Sequence, residues 1–167
     1  MKRIILMRHA DAEVGLDILD YERNLSELGV RQAQEAADYI GSNIKIDRLL
    51  VSSAKRTIQT SEIVVSRSNI SEVAILDTLY RASAESMLDL IRDQDDNIEC
   101  ILLIAHNPSI QMLAIELAKI TAQLNDHLVT KSMFPAQIVV LDYAVSKWAE
   151  IKPQQGNIYS IFVPYEK

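Results

Sequence analysis

Four side chains in this sequence carry the chemistry: Arg8 and His9 side by side, Arg56, and His106. Arg8 and His9 directly follow the apolar run Ile4 to Met7, Arg56 lies a few residues after Leu49 to Val51, and His106 directly follows Ile101 to Ala105. Where such runs are parallel strands of an open sheet, ligands collect outside their carboxyl ends. Two guanidinium groups and two imidazoles converging there suit a compact anion, and phosphate matches the bidentate geometry of arginine. Helices starting near Ser53 and Pro108 would add backbone N–H groups and positive dipole ends.

The elements that must position these residues are readable from the apolar pattern. Ile4 to Met7, Leu49 to Val51, Ile101 to Ala105 and Ile138 to Leu141 read as strands buried on both faces, with weaker strands at Val73 to Leu76 and Tyr159 to Val163. Val30, Ala33, Ala37 and Ile40 recur at helical spacing, as do Ala54, Ile58, Ser61 and Val65. So do Ala84, Met87, Leu88 and Ile91, and Ile110, Leu113, Ala114, Leu117 and Ala118. Ser26, Ser52-Ser53 and Asn107-Pro108 stand as start signals for three of these helices. The alternation predicts a three-layer α/β/α sandwich around a mostly parallel central sheet. With four glycines, four prolines and no linker or repeat, residues 1–167 read as a single domain.

Composition narrows the function. A formal net charge of -6 disfavours neutralising nucleic-acid phosphates, and 49% hydrophobic residues suffice for a folded core. The single cysteine, Cys100, precedes an apolar run and reads as a buried thiol in a reducing compartment. The apolar stretch before Arg8 is too short for a signal peptide, and no run approaches the roughly 18 residues of a membrane span, so no membrane partner and a cytoplasmic location are expected. His127 reads as exposed loop, Asp20 to Glu27 as a solvated connection near the pocket mouth, and Trp148, Tyr159 and Phe162 as core or edge packing rather than a cofactor box. Met7 should pack inside the sheet.

Leu6-Met7-Arg8-His9-Ala10 resembles the Arg-His-Gly/Ala signature of the histidine phosphatase superfamily. Leu25-Ser26-Glu27-Leu28-Gly29 with Gln32-Ala33 resembles its Leu-Thr-x-x-Gly and Gln-Ala segment, and Ser52 to Thr60 its Ser-Pro-x-x-Arg-Ala-x-Gln-Thr. Ile104-Ala105-His106-Asn107 resembles the strand ending in the second histidine. The likeness spans roughly residues 3 to 118 in order, and the short chain is most similar to the SixA-type phosphohistidine phosphatase branch.

The resemblance implies a phosphoglycerate mutase-like fold, with His9 as nucleophile and a phosphohistidine intermediate that water hydrolyses. Arg8, Arg56 and His106 would hold the equatorial oxygens, with no metal or cofactor. A backbone carbonyl on the other ring N–H of His9 would fix its tautomer. Many members carry a glutamic acid in a Leu-x-Glu segment, where this chain has Leu76-Asp77-Thr78-Leu79. Thr78 cannot act as that acid, and Asp11, Asp77 and Glu85 remain candidates. Imidazole needs no strong acid to depart, since its conjugate acid has a pKa of about 6.5.

The expected substrate is therefore phosphohistidine on a phosphotransfer or phosphocarrier protein, in bacterial signalling or sugar uptake. A small-molecule phosphomonoesterase, a sugar-phosphate mutase, or a binding module without turnover are the alternatives. Nothing in the sequence fixes the oligomeric state, and a monomer is the default expectation.

Overall fold

The structure, a computed structural model, describes residues 1–165. Its frame is one six-stranded sheet: β1 (Lys2–Arg8), β2 (Ile46–Ser52), β3 (Ile70–Leu76), β4 (Cys100–Ala105), β5 (Ile138–Tyr143) and β6 (Asn157–Phe162), in the spatial order β3-β2-β4-β1-β5-β6. The pairs β2·β3, β2·β4 and β1·β4 are parallel, whereas β5 runs antiparallel to both β1 and β6. The expected mostly parallel α/β sheet holds, with β5 as its one reversed strand.

Helices cover both faces: α1 (Glu27–Asn43), α2 (Lys55–Arg67), α3 (Ala84–Arg92) and α4 (Ser109–Leu117), followed by short turns at Ala122–Leu124 and Asn125–Val129. Successive strand residues point to opposite faces. Ile4 and Leu6 of β1 therefore enter a core with α3, α4 and Trp148, and Ile5 and Met7 enter a second core with α1 and α2. Burial on both faces explains why β1 and β4 read as continuous apolar runs. β3 and β6 are edge strands with exposed positions such as Ile75 and Tyr159, which explains their weaker signal. Among the described residues no helix is long and apolar enough to cross a membrane.

Ser26 caps α1, its side chain accepting from the Gly29 N–H at 3.0 Å. α2 starts just after the two serines, as expected, with Ala54 as its cap and no side-chain bond there. The buried face of α2 is rotated from the apolar one. Arg56, Thr57, Thr60, Ser61 and Val64 point inward, while Val65 is 37% exposed. Polar bonds set this rotation. Thr57 Oγ1 donates to the Ser52 or Ala54 carbonyl, both at 2.7 Å, and Thr60 Oγ1 donates to the Arg56 carbonyl while accepting from the Ala10 N–H at 3.1 Å.

Candidate active site

The four residues singled out by type and spacing meet at the carboxyl edge of the sheet, around a cavity of about 560 Å³. β1 delivers Arg8 and His9, the β4 terminus delivers His106, and the first turn of α2 delivers Arg56. The loop before reversed β5 closes the same edge, because the Ala136 N–H donates to the Arg8 and His9 carbonyls, each at 3.1 Å. Arg8 Nη1 donates to the Met133 carbonyl of that loop at 2.7 Å. Its Nε is buried with no hydrogen-bond partner among the described residues, a group that ordinarily finds one.

Two other segments pin the loop after His9. The Asp11 N–H donates to Gln32 Oε1 at 2.9 Å, and Asp11 Oδ2 accepts from the Ser26 hydroxyl. The loop lies so close to α1 that a Cβ on Gly29 would stand 1.9 Å from the Asp11 carbonyl oxygen, so only glycine fits there. Gln59 of α2 accepts from the Leu25 N–H at 2.7 Å. The Ser-x-x-Gly and Gln-Thr segments thus set the position of the His9 loop.

His9 Nδ1 lies 2.7 Å from the Ala10 carbonyl oxygen, which can only accept, so Nδ1 carries the proton. Nε2 is left with its lone pair facing the cavity edge of Arg56, whose Nε–H donates to it at 3.2 Å. Burial, reinforced by His106, Arg56 and Arg8, pushes the His9 pKa down to about 3, so the ring is neutral. Burial and Arg56 push His106 down to about 4. The two rings lie 5.3 Å apart between centroids, and Arg56 Nη2 reaches His106 Nδ1 at 3.2 Å. One guanidinium thus spans both imidazoles.

Sequence reasoning missed three participants. Ser52 Oγ lies 2.7 Å from His106 Nε2 and accepts its N–H, since Arg56 Nη2 can only donate to Nδ1. Asp20, assigned to a solvated connection, instead takes the outer side of Arg56. Its carbonyl oxygen accepts from Nη1 at 2.7 Å and its Oδ2 from Nη2 at 3.1 Å. Tyr80 donates to the same Oδ2 at 2.6 Å. That bond, with Arg23 and Arg56, holds the Asp20 carboxyl down at about 2. The doublet of opposite charges in Asp20-Tyr21-Glu22-Arg23 was the one sequence signal available, and it is common on any surface.

Of the candidate acids, only Asp11 lines the cavity; Asp77, Thr78 and Glu85 do not, and all three are exposed. The segment after β3 contributes Tyr80 and Arg81 instead. Four arginines (8, 23, 56 and 81) against two aspartates line the cavity, reversing locally the negative charge of the whole chain. His127 is exposed, Cys100 is a free buried thiol, and Trp148 is fully buried, its Nε1–H bonded to the Ile98 carbonyl at 3.0 Å. Tyr159 is exposed over Arg3, and Phe162 stacks on Tyr39.

Residues 4–81 match the model of the histidine phosphatase superfamily (branch 1), a span that holds Arg8, His9 and Arg56. An uncharacterized protein of Mycobacterium tuberculosis is 28% identical over 163 residues, covering 95% of this chain and 99% of that one. Among solved structures, a proposed phosphohistidine phosphatase SixA of Nakamurella multipartitia superposes with a TM-score of 0.82 at 24% identity, covering 98% of this chain and 96% of that one. The protein histidine phosphatase SixA complexed with tungstate gives 0.78 at 21% identity, covering 97% of each chain. A mycobacterial glucosyl-3-phosphoglycerate phosphatase shares the fold at a TM-score of 0.65 and 17% identity, covering 99% of each chain.

Proposed function

We infer that this chain, which belongs to the histidine phosphatase superfamily, removes the phosphoryl group of protein phosphohistidine through a phosphorylated His9. The observation that carries the reading is that both carboxyl groups lining the cavity among the described residues accept hydrogen bonds. Asp20 is held ionised at about 2, and Asp11 accepts the Ser26 hydroxyl. An alkoxide leaving group needs a proton donor there. An imidazole protonated on its distal nitrogen does not, because it departs neutral.

In this reading His9 Nε2 attacks phosphorus in line while the Ala10 carbonyl holds Nδ1–H. Arg8 and Arg56 take the equatorial oxygens, where charge is spread in phosphoryl transfer. His106 donates from Nδ1 to the bound phosphoryl group. Without phosphate, His106 Nδ1 accepts from Arg56 Nη2–H; once Arg56 turns to the phosphoryl oxygens, Ser52 rotates its hydroxyl to donate to Nε2 and the ring takes the tautomer with its proton on the cavity side. Water then attacks the phosphohistidine intermediate, and the same donors hold the oxygens while the P–N bond breaks.

A second reading draws on Arg23 and Arg81 at the cavity wall, which suit an acidic small phosphomonoester. One experiment separates the two. The enzyme is quenched during turnover and its phosphorylated residue mapped by mass spectrometry, and rates are compared for a phosphohistidine peptide and a panel of alkyl phosphates. Label on His9, none in His9→Ala, and faster turnover of the peptide are expected. Faster turnover of the alkyl phosphates would reject the phosphohistidine assignment, and label on another residue would reject the mechanism.

A further inference from the structure

We propose that Asp20 selects the leaving group: its carboxylate accepts the distal ring N–H of a bound phosphohistidine, favouring the imidazolium form that departs as neutral imidazole. This rests on the phosphohistidine reading above and adds to it a specificity-determining residue.

In-line attack places the leaving group across phosphorus from His9, toward the cavity mouth. The side chains lining the cavity differ in depth. His9 is 8% and Arg56 6% exposed, whereas the Asp20 side chain is 55% exposed and still lines the cavity. The Asp20 carboxylate is held in place on its inner side by Arg56 Nη2 and the Tyr80 hydroxyl, both on Oδ2. Among the described residues its Oδ1 faces only Arg23, at 3.2 Å in an exposed pair, which is a weak contact that a ligand can share or displace. An ionised carboxylate has about four acceptor positions, so Oδ1 retains capacity for a further donor. The groups facing Asp20 are Arg56 of α2, Arg23 of its own loop and Tyr80 of the turn after β3.

Tyr80 also stands edge-on to His106, at 5.6 Å, and to Tyr21, at 4.9 Å, giving the mouth an aromatic wall against which a flat ring packs. The step balances without an added acid. The new bond forms between His9 Nε2 and phosphorus, and the P–N bond of the substrate breaks. Its electron pair returns to the substrate ring, which keeps its distal proton and leaves uncharged. Before an ester substrate, the same carboxylate opposes the negative charge that grows on the departing oxygen.

An opposite charge within a few ångströms raises the pKa of an imidazolium by about one unit or more, or about tenfold in the reactive form above its pKa. The test compares wild type, Asp20→Asn and Tyr80→Phe on a phosphohistidine peptide and on p-nitrophenyl phosphate across pH. For Asp20→Asn, kcat/KM on the peptide should fall at least about tenfold more than on the ester at mildly alkaline pH, with the alkaline limb for the peptide moved about one unit lower. Tyr80→Phe keeps the charge and should keep the peptide-to-ester ratio within about threefold. Equal losses on both substrates in Asp20→Asn would reduce Asp20 to a positioning residue for Arg56 and overturn the proposal, as would no loss at all. A wild type that cleaves the ester but not the peptide would overturn the phosphohistidine reading itself, a result distinct from either.

Discussion

Acidification should unfold this protein through its two cavity histidines before its carboxylates matter. His9 and His106 sit at about 3 and about 4 in the folded chain, against 6.5 when exposed. Both are thus neutral when folded and charged when unfolded over the interval between. Above about pH 6.5 the two states bind equally few protons there, so the full stability is present; it drains as pH falls toward the folded values. At about pH 4.5 the linked loss is roughly 2.5 kcal/mol per ring, or about 5 kcal/mol for both. That is comparable with the entire stability of many domains, which is about 5 to 15 kcal/mol. Asp20, at about 2 when folded, loses its contribution only below its ordinary 3.8, after the two rings have already cost this much. Urea denaturation at steps from about pH 7.5 to 4.5 gives the free energy, whose slope near pH 5.5 should correspond to about two protons taken up on unfolding. His9→Asn and His106→Asn should each bring it to about one. A wild-type slope no steeper than that of the double variant would show that the rings charge in place, and would refute the neutral nucleophile.

Arg56→Ala removes the group that spans both rings and should cost about a hundredfold in kcat. Because Arg56 lowers both histidine pKa values, the acid limb of the pH–rate profile should move to higher pH in the same variant. Gly29→Ala forces a methyl group against the Asp11 carbonyl and should lower stability by about 3 kcal/mol or more in thermal or urea melts. Its phosphatase rate should fall as well, since the displaced loop carries His9. Ser52→Ala leaves His106 Nε2 without its partner and should lower kcat by about tenfold with little change in the melting temperature.

The strands were legible because β1 and β4 are buried on both faces, which forces unbroken apolar runs, and the residues after them fall at one edge by topology alone. The rotation of α2 was not legible. Positions 54, 58, 61 and 65 form a regular stripe, of which Ala54 and Ser61 are buried, but the bonds from Thr57 and Thr60 turn Arg56 and Val64 inward in place of Val65. Polar bonds override apolar periodicity here: those from Thr57 are local, and the one from the Ala10 N–H to Thr60 Oγ1 joins residues 50 apart, too distant to register as a pattern. Asp20 escaped for the same reason. Its partners Arg56 and Tyr80 lie 36 and 60 residues away, and an exposed aspartate in a short turn carries no local mark of either contact. The acid position misled in the opposite direction, since the segment after β3 reaches the cavity through Tyr80 and Arg81 rather than through Asp77 or Thr78.

The order of the sheet has a consequence for the chain as it emerges from the ribosome. β1 is synthesised first but is flanked by β4 and β5, so its two edges are not both covered until β5, in the last third of the chain, has been made. Until then Arg8 lacks the Met133 carbonyl and His9 lacks the turn at Ala136. A nascent chain that already displays Arg-His, Arg56 and the whole of α1 and α2 is still inert, and the phosphoryl site comes into being only as the sheet is completed around its oldest strand.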